Sequence, residues 1–213
     1  NGDGNPENDG LTLVKFQDRA IFDERLFRPA AAGGTSFIMT VGAIAAAQAV
    51  DGTISSTYQV DEGRDGIIDD TGSLTEFETV RTLSTSADDT LNLVALSDDT
   101  QSGANAFGLG VLFNMDTGFL TADINDDGDF SDETTHGLST SFTSFYQGFE
   151  EVLLGAGNDL VFGSGGNDTI SGGAGDDTIS GGSGDDSISG GGGDDELDGD
   201  DGNDWIAGGS GDD

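Results

Sequence analysis

The sequence predicts an all-β protein: an N-terminal antiparallel, sandwich-like β domain followed by a coil of short parallel strands. Three observations carry that prediction. From Leu154 to Asp213 a nine-residue unit repeats without a gap, as LGAGNDLVF, GSGGNDTIS, GGAGDDTIS, GGSGDDSIS, GGGGDDELD and GDDGNDWIA, and GGSGDD begins a seventh copy. Between Gly52 and that block, short runs of β-branched and aromatic residues are separated by Asp, Gly and Asn turns. The formal charge is -36, from 42 acidic and 6 basic residues, so a compact fold needs cations from outside to offset its self-repulsion.

Residues 1–10, NGDGNPENDG, read as a loop or the tail of a preceding module, and residues 11–150 as the mainly β domain. LTLVKF alternates like a strand, whereas Ile21, Phe22, Leu26 and Phe27 in QDRAIFDERLF suit a short helix. After Pro29 and the Gly33-Gly34 pair, TSFIMTVGAIAAAQAV reads as a buried strand running into a helical turn. The runs TISSTYQV, SLTEFETVRTLST, DTLNLVAL, FGLGVLF, GFLTADI, STSFTSFY and EEVLL follow as strands. Most of the 13 Phe residues fall in this domain and supply its core.

The third part, 151–213, is set by its period. Position four of every copy is Gly, position six is Asp (Asp159, Asp168, Asp177, Asp186, Asp195, Asp204 and Asp213), and position eight is Val161, Ile170, Ile179, Ile188, Leu197 or Ile206. The glycines permit positive φ and expose carbonyls in a tight turn, while the last three residues form one short strand with one side chain inward. Turn, strand, turn, strand is a coil. Stacked coils put each aliphatic residue over another and bring each Asp near the Asp of the next turn. Aligned carboxylates repel unless a hard cation lies between them, and carboxylates with carbonyls are the donor set of calcium, which takes six to eight oxygens at roughly 2.3–2.6 Å. Zinc and copper want His or Cys, of which the chain has one and none. Magnesium holds its water and a stricter geometry, so it substitutes poorly.

These units resemble the GGxGxDxUx nonapeptides of the RTX (hemolysin-type) calcium-binding family. The resemblance covers Leu154 to Asp213. It implies a parallel β-roll with two repeats per coil, and hence two aspartate columns: Asp159, Asp177, Asp195 and Asp213 in one, Asp168, Asp186 and Asp204 in the other. Three gaps and two gaps imply about five Ca2+ at most, or +10 against the 15 acidic residues of the region. The family also implies type I secretion and an extracellular or cell-surface location. Leu154 departs from the pattern where a first Gly belongs, and Glu196 and Trp205 are large for position seven. The seventh copy stops after six residues, which for a solenoid predicts a fragment lacking its C-terminal cap.

Upstream, Asp123, Asn125 and Asp127, with Gly128 sixth in DINDDG, match the first half of a calcium loop, but its twelfth position is Thr134. A bound Ca2+ and a solvated acidic turn both remain open for 123–134. Catalytic residues are scarce: His136 is the single imidazole, and HExxH, GxSxG and Walker patterns are absent. The carboxylate pairs of the repeats recur too regularly to be one active site. The acidic charge disfavours nucleic acid, and the most apolar run, Phe37 to Val50, is too short for a membrane span. Two functions fit this inventory. One is an extracellular, calcium-binding structural, adhesive or surface-assembly protein that contacts other copies of itself or cell-surface components. The other is an accessory region of a type I-secreted enzyme, a protease, lipase or polysaccharide-modifying enzyme, whose catalytic domain lies outside these residues.

Overall fold

A computed structural model of the chain describes residues 11–12, 19–22, 35–41, 55–62, 70–75, 79–82, 89–94, 110–123, 130 and 144–213. All named elements among them are strands, arranged in two sheets. The nine-stranded sheet runs in the spatial order β1 (Leu11–Thr12), β2 (Arg19–Phe22), β6 (Thr79–Thr82), β10 (Ser144–Gln147), β9 (Phe119–Ala122), β8 (Val111–Asn114), β12 (Leu160–Phe162), β14 (Thr178–Ser180) and β16 (Glu196–Asp198). The eight-stranded sheet runs β17 (Trp205–Ser210), β15 (Ser187–Gly192), β13 (Thr169–Ala174), β11 (Glu151–Leu153), β7 (Thr90–Asn92), β3 (Thr35–Val41), β4 (Ser55–Glu62) and β5 (Asp70–Thr75).

From residue 151 onward the chain alternates between the sheets, one strand per repeat. Each strand pairs in parallel with the strand 18 residues further on, so that Ile170, Ile188 and Ile206 are in register in one sheet and Val161, Ile179 and Leu197 in the other. Two repeats make one coil. The inward residues form the core: Val161, Ile170, Ile179 and Ile188 are at most 1% exposed. Each such burial contributes about 1.5–3 kcal/mol.

The same ladder continues upstream of the repeats. In one sheet Val152 pairs with Leu91, and Leu91 with Met39; in the other Val161 pairs with Phe113. All five are buried. Parallel coiling therefore begins with strands that carry no nonapeptide motif, and both sheets run unbroken from them into the repeats. The antiparallel pairing expected upstream occurs at β1–β2, β3–β4–β5 and β8–β9–β10, interleaved with parallel pairs at β2–β6, β6–β10 and β3–β7.

The β8–β9 hairpin shows the local chemistry. Asn114 accepts the Thr117 amide on its side chain at 2.8 Å and the Gly118 amide on its carbonyl at 2.7 Å, and Gly118 closes the turn with φ 74°. The helix expected within QDRAIFDERLF is corrected at Arg19–Phe22, which is a strand. Strands on both sides of Arg19–Phe22 supply hydrogen-bond partners that outweigh local propensity, and Leu26 and Phe27 lie outside the described residues. The buried strand expected in TSFIMTV is present as β3, while the helical turn expected after it lies outside the described residues.

Candidate metal sites in the coil stack

Position six of each repeat enters the strand from the turn, and its side chain points between coils. Asp159, Asp168, Asp177, Asp186 and Asp195 are 1–6% exposed. One oxygen of each later aspartate closes a rung to the coil before it. The amide of Asp159 donates to Asp177 Oδ1 at 2.9 Å, that of Asp177 to Asp195 Oδ1 at 2.9 Å, and that of Asp195 to Asp213 Oδ1 at 3.2 Å. In the second column the amide of Asp168 donates to Asp186 Oδ1 at 2.8 Å and that of Asp186 to Asp204 Oδ1 at 3.0 Å. The seven repeat aspartates thus stand in the two columns of 18-residue spacing. Above Asp159 the first column ends on β8, where the Val111 amide donates to Asp159 Oδ1 at 2.7 Å.

The second oxygen is what distinguishes these groups. Oδ2 of Asp177, Asp186 and Asp195 is buried without a hydrogen-bond partner. A buried carboxylate oxygen left bare costs several kcal/mol as an anion, and burial accordingly pushes Asp177 up to about 7, against the lowering effect of the Asp159 amide. Asp168 is also raised by burial, offset in part by the backbone and side chain of Ser164. A cation beside these oxygens removes that cost.

The turns bring glycine backbone close against these oxygens. A Cβ added to Gly172, Gly181 or Gly190, the first residue of its repeat, would collide with Oδ2 of Asp177, Asp186 or Asp195 respectively. From the third repeat on, the second and fourth residues take the left-handed backbone, as at Gly191 (φ 119°) and Gly193 (φ 138°), a conformation that glycine adopts without steric cost. In the sixth repeat Asp200 holds that second position with φ 60°, a conformation Asp tolerates better than most side chains. Among the described residues no point gathers three or more acidic or imidazole side chains. A cation between coils would meet carboxylate and carbonyl oxygens. That donor set is all oxygen and fits calcium.

Position five was missed by the sequence reading. It is Asn or Asp in all seven copies, and it forms a second ladder of opposite sense, in which the earlier side chain accepts from the later backbone. The amides of Asp176, Asp194 and Asp212 donate to Oδ1 of Asn158, Asp176 and Asp194 at 2.9, 2.8 and 2.9 Å. Those of Asp185 and Asn203 donate to Asn167 and Asp185 at 3.0 and 2.9 Å. The constancy of a short side-chain carbonyl at that position was the available signal. Two upstream residues were also missed. Asp89 and Glu150 align in register with Asp168, and the Asp89 amide donates to Glu150 Oε2 at 3.1 Å, the same kind of rung.

Of the upstream calcium-loop residues, Asp123 is buried at the end of β9 and donates its amide to the Gly110 carbonyl at 2.8 Å. Asn125 and Asp127 lie outside the described residues. No helix among the described residues is long and apolar enough to cross a membrane.

The family model for the RTX calcium-binding nonapeptide repeat matches residues 153–188 and 180–213. No similar curated protein and no similar solved structure was found. Residues 153–213, under a third of the chain, are accordingly RTX calcium-binding nonapeptide repeats folded as a β-roll.

Proposed function

We propose that the chain is an extracellular structural, adhesive or surface-assembly protein, exported by type I secretion, in which Ca2+ folds and rigidifies the β-roll. The observation that carries this reading is the pair of columns of buried aspartates, three of them with a bare oxygen, inside a sheet pair that continues into the upstream strands. Calcium supplies positive charge between the coils, at one ion per gap and at most five gaps. The chain's own contribution is geometric: position-six carboxylates face the gaps, position-five oxygens hold the turns, and the aliphatic ladder keeps successive coils in register. Because Met39, Leu91 and Phe113 belong to that ladder, the calcium-ordered coils are laid on a core continuous with the upstream β region. That region is our candidate for the contacting surface, toward other copies or cell-surface components. The division into 1–10, 11–150 and 151–213 remains our working description of the chain.

A structural role of this kind is tested by sedimentation of the purified chain with and without calcium. Assembly into larger species on adding calcium, reversed by a chelator, is the expected outcome. A chain that binds calcium yet stays monomeric, and gains no adhesion to cell surfaces, contradicts the assembly and adhesion role and favours an accessory region of a secreted enzyme.

A further inference from the structure

Five gaps separate position-six aspartates 18 residues apart, and they are not built alike. In three of them one constellation recurs. Oδ2 of Asp177, Asp186 and Asp195 is buried and unpartnered, and lies against Gly172, Gly181 and Gly190. The same point, where a glycine Cβ would be, is 2.9, 3.0 and 2.9 Å from the carbonyl oxygen of Gly190, Gly199 and Gly208 in the following coil. A bare carboxylate oxygen thus packs against a glycine that faces a carbonyl of the next coil, and only the missing side chain lets the three approach so closely.

The two gaps nearest the upstream strands lack this arrangement. Leu154 stands at the first position of its repeat and is buried at 4% exposure. Leu154 carries a Cβ at the repeat position where Gly172 lets Asp177 Oδ2 approach, and Oδ2 of Asp159 is not among the bare buried oxygens. In the second repeat Ser164 replaces the second glycine. Its amide donates to Asp168 Oδ2 at 2.6 Å and its hydroxyl to Oδ1 at 3.2 Å, so that both carboxylate oxygens are engaged within their own turn. The atom nearest the point where a Gly163 Cβ would be is the Gly181 carbonyl oxygen, whereas at Gly172 it is Asp177 Oδ2.

We infer that calcium occupies the gaps 177–195, 186–204 and 195–213, and that the gaps 159–177 and 168–186 are closed by the protein alone. This rests on the reading of the roll as calcium-binding and assigns its ions to particular gaps. The first two repeats then dock on the upstream strands without metal, through Val111 N–H to Asp159 Oδ1 at 2.7 Å and backbone bonds from Leu93 to Leu153 and from Met115 to Phe162, each 2.8 Å. They form a metal-free base on which the calcium-dependent coils are laid.

The test counts calcium bound at saturation by the full chain and by single Asp→Asn variants, with circular dichroism to verify the folded state. Asn keeps an acceptor for the backbone rung and replaces the second oxygen. Asp177→Asn, Asp186→Asn and Asp195→Asn should each lose one ion, and Asp159→Asn and Asp168→Asn none. An ion lost from either of the last two overturns the assignment. Hydrogen exchange on the unaltered chain gives a second reading if a variant fails to fold. The Val111 and Ser164 amides should be protected without calcium, and the Asp177 and Asp186 amides only with it; equal gains on all four overturn it. A chain that binds no calcium at all defeats the calcium-binding reading itself, a failure distinct from ions found in the wrong gaps.

Discussion

Asp177 carries the electrostatics of the roll in one side chain. It is 1% exposed, its Oδ2 is unpartnered, and burial pushes it up to about 7. The unfolded chain loses the same proton near pH 4. Without cations, the folded roll therefore holds a proton that the unfolded chain has released, and this contributes stability fully present below about pH 4 and lost as pH rises through about 7. Thermal melts of calcium-free protein should show a melting temperature that falls between pH 4 and pH 7 and then levels. Calcium replaces the proton, so binding at pH 6 should release protons, read as a dependence of binding heat on buffer ionisation enthalpy. A calcium-free melting temperature that rises over the same interval contradicts this role for Asp177. At this scale the sequence was informative where a residue type is forced. Gly at position four and Asp at position six announce a turn and an oxygen ligand whatever the surroundings. Position five announces less, because Asn and Asp are common in any exposed turn, and only the fold shows that their oxygens bond the next coil. Ser164 was equally opaque, since its effect on Asp168 is set by turn geometry and not by composition.

At the level of the elements, the position-eight residues were readable because a single inward side chain every nine residues leaves no other place for an aliphatic group. Ile188 has a partner on each side, Ile170 and Ile206, and is fully buried, whereas Ile206 in β17 is 44% exposed. Ile188→Ala should cost about 2–5 kcal/mol in calcium-saturated denaturation, and Ile206→Ala distinctly less. Equal costs would contradict the register of the stack. Upstream the elements were harder to place. Leu91 in DTLNLVAL and Val152 in EEVLL were legible as strand residues, but 61 residues separate them, and nothing local reveals that they are neighbours in a parallel ladder. Parallel partners this far apart are fixed by the closing of the whole coil. The Arg19–Phe22 strand was hidden for a related reason: its partners, β1 and β6, lie on opposite sides of it, one near in sequence and one distant.

Over the whole molecule the decisive quantity is charge. All six basic residues precede residue 82, so the 15 acidic residues from 154 to 213 have no basic partner within their own segment. Two continuous sheets tie that segment to the upstream strands. The most direct measurement is a titration of the full chain with calcium, and separately with magnesium, followed by far-ultraviolet circular dichroism at neutral pH. Strand signal that grows with calcium, saturates, is reversed by a chelator and is not reproduced by equal magnesium is the predicted result. A spectrum already complete without calcium, or one that responds identically to both ions, would contradict the central claim that calcium between the aspartate columns folds the roll.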